Sequence, residues 1–213
     1  KDGLPPAEGD RRWRRELLLL ELARRGVQGW PLRKTLTTTG RLPEGCRPCL
    51  EGRGSNLCLT TLCNRDCFFC FNPKPRAEGM SVHGRPAAGP DDAVAILSTL
   101  DIASLGLSGG EPLLDPDRVL KLARAVKARC GPAMRIDLYT NGDILTSPLI
   151  DALRQAGVDG LRINLAARAY DPAPVRLALE RGFPVEVEIP AVPEHEERVR
   201  RLMDELEAMR APH

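Results

Sequence analysis

The chain has 213 residues, of which 42% are hydrophobic, enough for one large hydrophobic core with an appendage. Its formal net charge is +2, so composition does not indicate nucleic acid or an acidic membrane as a partner. No apolar run approaches the length that crosses a bilayer, and the first residues show no signal-peptide pattern. We therefore predict a cytoplasmic protein without a membrane partner.

The N-terminal region is predicted to contain one helix and a cysteine-bearing extension. Residues 11–25 carry apolar positions on a helical stripe that ends at Gly26, as at a helix C-terminus. This pattern indicates a packing helix, with a basic membrane-surface helix as the alternative. Residues 40–56 are rich in Gly, Pro and Cys and are predicted to form a loop region. We assign residues 1–54 to this extension and residues 55–213 to a core domain.

The core domain shows a repeated strand–helix pattern punctuated by Gly, Pro, Asp and Asn. Strands are predicted at 56–61, 104–108, 135–140, 160–166 and 184–189, and helices at 91–100, 116–129, 147–157, 173–181 and 194–209. Five consecutive strand–helix units require parallel strands with right-handed crossovers. The predicted fold class is therefore α/β, either a sheet or a barrel.

Several of these strands alternate apolar and polar residues, whereas parallel strands covered on both faces are apolar throughout. Period-2 alternation places the polar residues side by side on one face. The alternation predicts a concave polar interior that holds a ligand, lined by Asp137, Arg162, Asn164, Glu186 and Glu188. Mutual ion pairing of these side chains is the other interpretation, and the two are compatible.

Cysteine spacing indicates a metal centre. Six of the seven cysteines lie between Cys46 and Cys70, which in a reducing cytosol favours metal binding over a disulfide framework. Cys63, Cys67 and Cys70 follow the first predicted strand, at the end of a barrel where active sites are built. Three thiolates can anchor a [4Fe–4S] cluster and leave one iron open.

The Cys-x3-Cys-x2-Cys motif with Phe69 before its last cysteine resembles that of the radical S-adenosylmethionine (radical SAM) superfamily. Two further matches follow in order, "SGGEP" at 108–112 and "YTNG" at 139–142, and the resemblance covers residues 55–190. It implies a partial (β/α) TIM-like barrel with parallel strands. The family core has six strand–helix units and we count five, so the last unit is lacking. A homodimer or a further C-terminal region would then cover the open edge.

The resemblance implies an enzyme that binds a [4Fe–4S] cluster and S-adenosylmethionine (SAM). Such an enzyme cleaves SAM reductively to a 5′-deoxyadenosyl radical, which abstracts hydrogen from a substrate that the sequence does not identify. An electron donor such as a flavodoxin or ferredoxin is implied as a partner. Activating enzymes, methyltransferases, peptide-modifying enzymes and small-molecule oxidases or lyases all remain open. The alternative is a non-catalytic iron–sulfur or zinc module, or an electron-transfer protein.

The resemblance also implies roles for individual residues. Cys63, Cys67 and Cys70 are expected to ligate the cluster. Other positions are expected to contact SAM: Gly109, Gly110 and Glu111 at its amino group, Phe69 by the adenine, Thr140 or Asn141 and Asn164 at the ribose or carboxylate, and Arg162 at the carboxylate. For Glu188 we expect either a substrate contact or pairing with Arg162.

Four further cysteines lie outside the motif. Cys46 and Cys49 form a Cys-x2-Cys half-site and are predicted to hold zinc or a second iron–sulfur cluster. Cys58 lies within the first strand and is expected to pack as a small hydrophobe, with a ligand role as the alternative. Cys130 is expected to pack at a helix end. His83 is expected to be solvated in its loop, with a position facing the site as the alternative.

Overall fold

The computed structural model describes residues 8–29, 37–38 and 42–211, which form two compact units, Lys1–Leu42 and Pro43–His213. In the first unit, helix α1 (Glu8–Arg24) precedes two short antiparallel strands, β1 (Gln28–Gly29) and β2 (Thr37–Thr38). Helix α1 confirms the helix predicted over 11–25. The boundary between the units falls earlier than the predicted division after residue 54.

The second unit consists of a seven-stranded sheet and its helices. Its elements are α2 (Cys46–Leu50), β3 (Gly54–Cys58), β4 (Met80–Val82), β5 (Arg85–Ala87), α3 (Pro90–Leu97), β6 (Ser104–Ser108), α4 (Pro116–Cys130), β7 (Arg135–Thr140), α5 (Ser147–Gln155), β8 (Gly160–Asn164), α6 (Ala173–Glu180), β9 (Val185–Glu188) and α7 (Glu196–Ala208). The strand order is β5-β4-β3-β6-β7-β8-β9. Strands β3, β6, β7, β8 and β9 are parallel, whereas β4 and β5 are antiparallel additions beside β3.

All five predicted strand–helix units are present, and the described sheet is not closed, as expected for a partial barrel. Four features differ from the prediction. The first strand, predicted at 56–61, is β3 at Gly54–Cys58, and strand β8 ends at Asn164 in a 3-10 turn, Leu165–Arg168. Residues 40–56, predicted as loop, contain α2, and the β4–β5 hairpin was not predicted. The hairpin strands have three residues each, too few for a periodic pattern to be recognised.

Helix boundaries follow local capping chemistry, as α4 illustrates. The Asp115 carboxylate accepts a hydrogen bond from the Arg118 amide at 3.0 Å, and Pro116 opens the helix. Gly131, with φ of 96°, ends it. Across the helices that the structure describes, none combines the length and apolar character needed to span a membrane.

Alternation along the parallel strands separates an apolar face from a polar one. The apolar side chains of the three central strands are almost completely buried beneath the helices: Leu105, Leu107, Ile136, Leu138, Leu161 and Ile163. Each such burial stabilises the fold by about 1.5–3 kcal/mol relative to exposure. The intervening residues therefore face the opposite, concave side of the sheet.

On the concave side the polar residues form ion pairs, as the second interpretation of the alternation proposed. The Arg162 guanidinium lies 2.8 Å from Glu186, 3.3 Å from Glu188 and 3.7 Å from Asp137. Its central carbon lies 5.4 Å from the centre of the Tyr139 ring, within the range of a cation–π contact. These pairs line open cavities rather than a filled core, so the polar interior and the ion pairing coexist.

Candidate functional site

A cavity of about 450 Å³ opens where the parallel strands end. This volume lies in the range typical of small-ligand sites. The cavity brings together ten of the residues predicted to bind the cluster or SAM: Cys63, Cys67, Phe69, Cys70, Gly109, Gly110, Thr140, Asn141, Arg162 and Asn164. Glu111, Cys46 and Cys49 do not line it. Tertiary structure therefore gathers motifs that are about a hundred residues apart at their extremes.

The three motif cysteines lie in the cysteine loop, residues 59–79 between β3 and β4. The Cys70 amide donates to the Cys67 carbonyl at 3.0 Å, which turns the chain between these two thiols. Burial raises the pKa of Cys67, and the neighbouring thiols Cys63 and Cys70 raise it further, while Arg76 and Arg65 oppose the shift. A cation bound at this cavity would favour the thiolate form of the three cysteines.

The three motif thiols border one cavity. Among the residues that the structure describes, no three His, Cys, Asp or Glu side chains are placed to hold one metal ion. In a four-iron cube, each of three thiolates would ligate a different iron. A donor set of three thiols leaves one iron without a cysteine ligand.

The glycine pair lies where two backbones approach closely. Beyond the paired ends of β3 and β6, the Gly110 amide donates to the Thr60 carbonyl at 2.7 Å, and the Glu111 amide donates to the Leu62 carbonyl at 2.8 Å. A Cβ on Gly109 would collide with the Thr60 carbonyl, and one on Gly110 with the Leu62 carbonyl. Gly109 also has φ of 141°, which disfavours other residues. Glycine at both positions lets the cavity wall form.

Glu111 is held by hydrogen bonds from within the protein. Its side chain is completely buried, and Oε1 accepts hydrogen bonds from the Leu113 amide at 3.0 Å and the Thr140 hydroxyl at 2.8 Å. Oε2 accepts one from the Asn141 amide at 2.7 Å. Burial raises the pKa of Glu111 against these hydrogen bonds. The carboxylate therefore joins the glycine turn to the end of β7, and its contact with the SAM amino group stays a prediction.

The amide side chains of the predicted set are partly engaged within the protein. Asn141 Nδ2 donates to Asn64 Oδ1 at 2.7 Å, and Asn141 Oδ1 accepts from the Asp143 amide at 2.9 Å. Asn164 Oδ1 accepts from the Ala167 amide at 3.3 Å and caps the 3-10 turn after β8. Their contacts with a ligand remain predictions. Phe69 packs edge-to-face against Phe68, with ring centres 5.2 Å apart.

A second cavity of about 440 Å³ adjoins the first, and Asn56, Tyr139 and Arg162 line both. His83 lines the second cavity, and its Nδ1 lies 3.3 Å from the Ser55 hydroxyl. Tyr139 stands between the cavities, where burial raises its pKa. Sequence reasoning recognised "YTNG" but gave Tyr139 no role. Its polar-face position within β7 was the signal that could have found it.

The upstream cysteines lie away from the motif cysteines. Cys46 and Cys49 lie on α2; Cys46 Sγ is 3.4 Å from the Arg162 guanidinium, and Cys49 lines the second cavity. No third metal ligand joins them among the described residues, so their metal role remains a prediction.

The two other cysteines have apolar or cavity environments. Cys58 lines the first cavity, and its thiol donates to the Thr60 carbonyl at 3.5 Å, while burial raises its pKa. Cys130 packs against the core, as predicted.

Comparison with known proteins identifies the family of the chain. Residues 57–171, more than half of the chain, match the model of the Radical SAM superfamily. A protein of Methanocaldococcus jannaschii named "putative glycyl-radical enzyme activating enzyme" is 24% identical over 79% of this chain and 48% of its own length. The AdoMet-dependent heme synthase of Methanosarcina barkeri is 35% identical over 50% of this chain and 29% of its own length. The chain thus spans half or less of these relatives.

A similar fold occurs in a solved structure. SuiB of Streptococcus suis, solved bound to S-adenosylmethionine, superposes with a TM-score of 0.55 over 94% of this chain and 50% of its own. The identity of 13% means that this likeness concerns the fold alone. The similarity extends across nearly the whole chain, including the sheet whose strand ends border the first cavity.

Proposed function

The chain belongs to the radical SAM superfamily, and on that premise we propose that it is the SAM-cleaving core of a radical enzyme. The observation that carries the proposal is the shared cavity: three motif thiols, a glycine pair required by backbone approach and a polar concave face all border it. A non-catalytic metal module would not need this cavity. An electron-transfer site would not need an open iron.

The proposed residue roles follow from the donor and acceptor chemistry of this wall. Cys63, Cys67 and Cys70 would hold the [4Fe–4S] cluster, which with SAM bound supplies the reductive formation of a 5′-deoxyadenosyl radical that abstracts hydrogen. The backbone of Gly109 and Gly110 would accept from the SAM ammonium, which needs acceptors for three N–H groups. One Gly109 carbonyl lone pair is already occupied by Asn72 Nδ2, at 2.7 Å.

The remaining wall residues would orient SAM. Phe69 would lie against the adenine, and Asn164 and Arg162 would contact the ribose or carboxylate. Thr140 and Asn141 would act mainly through the backbone that they hold in place, because Glu111 binds both. The Arg162 guanidinium already pairs with Glu186 and Glu188, so a SAM carboxylate would share this cation with them.

We place the substrate on the concave face, where the second cavity adjoins the first at Tyr139. A hydrogen-bearing carbon presented there would be close to SAM and shielded from bulk water by the sheet. The relatives named above as an activating enzyme and a heme synthase, and others named GTP 3′,8-cyclase, differ in substrate. Membership of the radical SAM family therefore supports radical formation but does not indicate one substrate, and the reaction subclass stays open.

A one-electron donor such as a flavodoxin or ferredoxin belongs to the proposal. Phe68 and Phe71 on the cysteine loop are 75% and 98% exposed and offer an apolar docking surface beside the predicted cluster. Strand β9 is an edge of the described sheet, so a homodimer contact or a further segment there also remains part of the proposal. A reducing, cytoplasmic setting would preserve the thiols.

Anaerobic reconstitution tests the function. Wild-type protein loaded with iron and sulfide, then reduced, is expected to give a cubane EPR signal that changes when SAM is added, with release of 5′-deoxyadenosine. The Cys63→Ala/Cys67→Ala/Cys70→Ala variant should lose both, whereas Cys130→Ser, outside both cavities, should retain them. An intact cluster without any response to SAM would reject the radical proposal and leave an iron–sulfur binding or electron-transfer module.

A further inference from the structure

A carboxylate just beyond the "YTNG" turn connects three of the loops that border the site. Asp143 accepts hydrogen bonds from Arg65 Nε at 2.6 Å, Arg65 Nη2 at 2.8 Å, Asn64 Nδ2 at 2.9 Å and a guanidinium nitrogen of Arg168. These four donors match the roughly four acceptor positions of an ionised carboxylate. We call Asp143 and its three donor residues, Asn64, Arg65 and Arg168, the Asp143 network.

The network joins elements that are remote in sequence. Asn64 and Arg65 lie within the cysteine loop, between the first two motif cysteines, whereas Arg168 lies in the 3-10 turn after β8. Asp143 itself is fixed to the end of β7, because its amide donates to Asn141 Oδ1 at 2.9 Å. Asn141 in turn donates to Asn64 at 2.7 Å. The loop is therefore tied to the ends of two sheet strands through two of the three side chains between Cys63 and Cys67, those of Asn64 and Arg65.

The geometry and charge of the network fix both the position and the orientation of Arg65. Arg65 binds Asp143 in a two-bond fork, which fixes the plane of its guanidinium as well as its distance. The side chains of Asp143 and Arg168 are only 14% and 19% exposed, so water screens their pair weakly. At the cysteine end, the Arg65 amide lies 3.4 Å from Cys63 Sγ and donates to it. Movement of Arg65 would consequently displace the first motif thiol.

We propose that Asp143 is a positioning residue that orders the cysteine loop in the cluster-free protein, holding Cys63 and Cys67 in the arrangement that receives the cluster. Loop ordering can be measured without any cofactor; only the link to cluster loading rests on the proposed function. A generally stabilising ion pair would instead act on the whole domain. A loop-ordering role and a general stabilising role differ in which peptides of a variant lose protection from hydrogen exchange.

Hydrogen exchange of cluster-free protein under anaerobic, reducing conditions tests the ordering. In Asp143→Asn, peptides covering residues 62–72 are expected to exchange about tenfold faster or more, while peptides of β7 and β8 keep wild-type rates. Arg65→Lys keeps the charge but loses the two-bond fork, and should give a smaller increase confined to the same peptides. Asp151→Asn removes an exposed ion pair with Arg181 and should leave the loop unchanged.

Cluster loading provides the second readout. Asp143→Asn should acquire iron and sulfide more slowly and lose iron to a chelator several-fold faster than wild type, with Arg65→Lys between them. Unchanged loop exchange in both variants would overturn the proposal, as would faster exchange spread evenly over the sheet. If Asp143→Asn does not fold, Arg65→Lys decides by the same criteria. A wild type that takes up no cluster would reject the proposed function, while the loop exchange still decides whether Asp143 orders the loop.

Discussion

Glu111 and Asp143 are two carboxylates near the carboxyl ends of the strands. They fix the chain through different kinds of hydrogen-bond donor. Glu111 is fully buried and receives hydrogen bonds only from neutral groups, two backbone amides and the Thr140 hydroxyl. Asp143 is largely buried and receives most of its bonds from the guanidinium groups of Arg65 and Arg168. Burial raises the pKa of Glu111, whereas the Arg65 hydrogen bond and charge lower the pKa of Asp143.

The difference shows that one cavity wall combines backbone fixed within the sheet with a loop whose position depends on side-chain contacts. Glu111 secures backbone within the continuous sheet, where the glycine turn has no room to move. Asp143 secures the part of the cysteine loop between Cys63 and Cys67, and does so mainly through charged side chains. We expect loss of the first to affect the whole fold, and loss of the second to affect the cysteine loop.

The largest effect is expected for Glu111→Ala. Three buried donors lose their acceptor and a cavity opens, so the free energy of unfolding of the cluster-free protein should fall by about 3–5 kcal/mol in urea titration. Glu111→Gln keeps the volume and one acceptor and should cost about 1–2 kcal/mol. A cost below about 1 kcal/mol for the alanine variant would show that Glu111 does not secure the turn.

Gly110→Ala should follow in size. The added Cβ meets the Leu62 carbonyl, which belongs to backbone and cannot rotate away, so we expect a loss of about 1–3 kcal/mol. SAM binding by the reconstituted protein, measured by calorimetry, should weaken in parallel. The matched control is Gly79→Ala, where a Cβ meets nothing within 4 Å and the cost should stay within about 0.5 kcal/mol. Equal costs at both positions would contradict the close-approach explanation.

The pH dependence of stability should have opposite signs at the two carboxylates. Because the pKa of Glu111 is raised, the folded protein binds the proton more tightly than the unfolded chain does. As pH falls through the raised pKa, the free energy of unfolding of wild type should therefore rise relative to that of Glu111→Gln. For Asp143, the stabilisation is present above the ordinary Asp pKa and is lost as pH falls through the lowered folded value. Unfolding of wild type, Glu111→Gln and Asp143→Asn across acidic pH measures both. Slopes of the same sign would refute the contrast.

The smallest effect is expected far from the site. Asp151 pairs with Arg181 at the surface, and both side chains are about a third exposed or more. Such pairs contribute little, so Asp151→Asn should change the free energy of unfolding by no more than about 0.5 kcal/mol. A thermal denaturation series that includes the Glu111 and Asp143 variants makes the comparison direct. A loss well above about 0.5 kcal/mol would contradict the small contribution expected of an exposed pair.

Most of the fold, and the motif residues of the site, could be predicted from local sequence patterns. Apolar–polar alternation and capping residues such as Asp115 depend on neighbours a few positions away, which is why five strand–helix units were predictable. The spacing of Cys63, Cys67 and Cys70 and the glycine pair are likewise local signals. The β4–β5 hairpin and α2 were missed because their segments are too short to show a period.

The sequence by itself determined the α/β class, the strands that carry polar residues and the candidate cluster ligands, because these depend on spacing along the chain. Tertiary structure alone decided that Glu111 turns inward to Thr140, since the Thr140 hydroxyl at the buried end of β7 is remote from Glu111 in sequence. It also decided the Asp143 network, whose Asn64–Asp143 bond joins residues 79 positions apart. No local pattern specifies such a contact, because the crossovers that bring the strand ends together form only when the helices pack on the sheet.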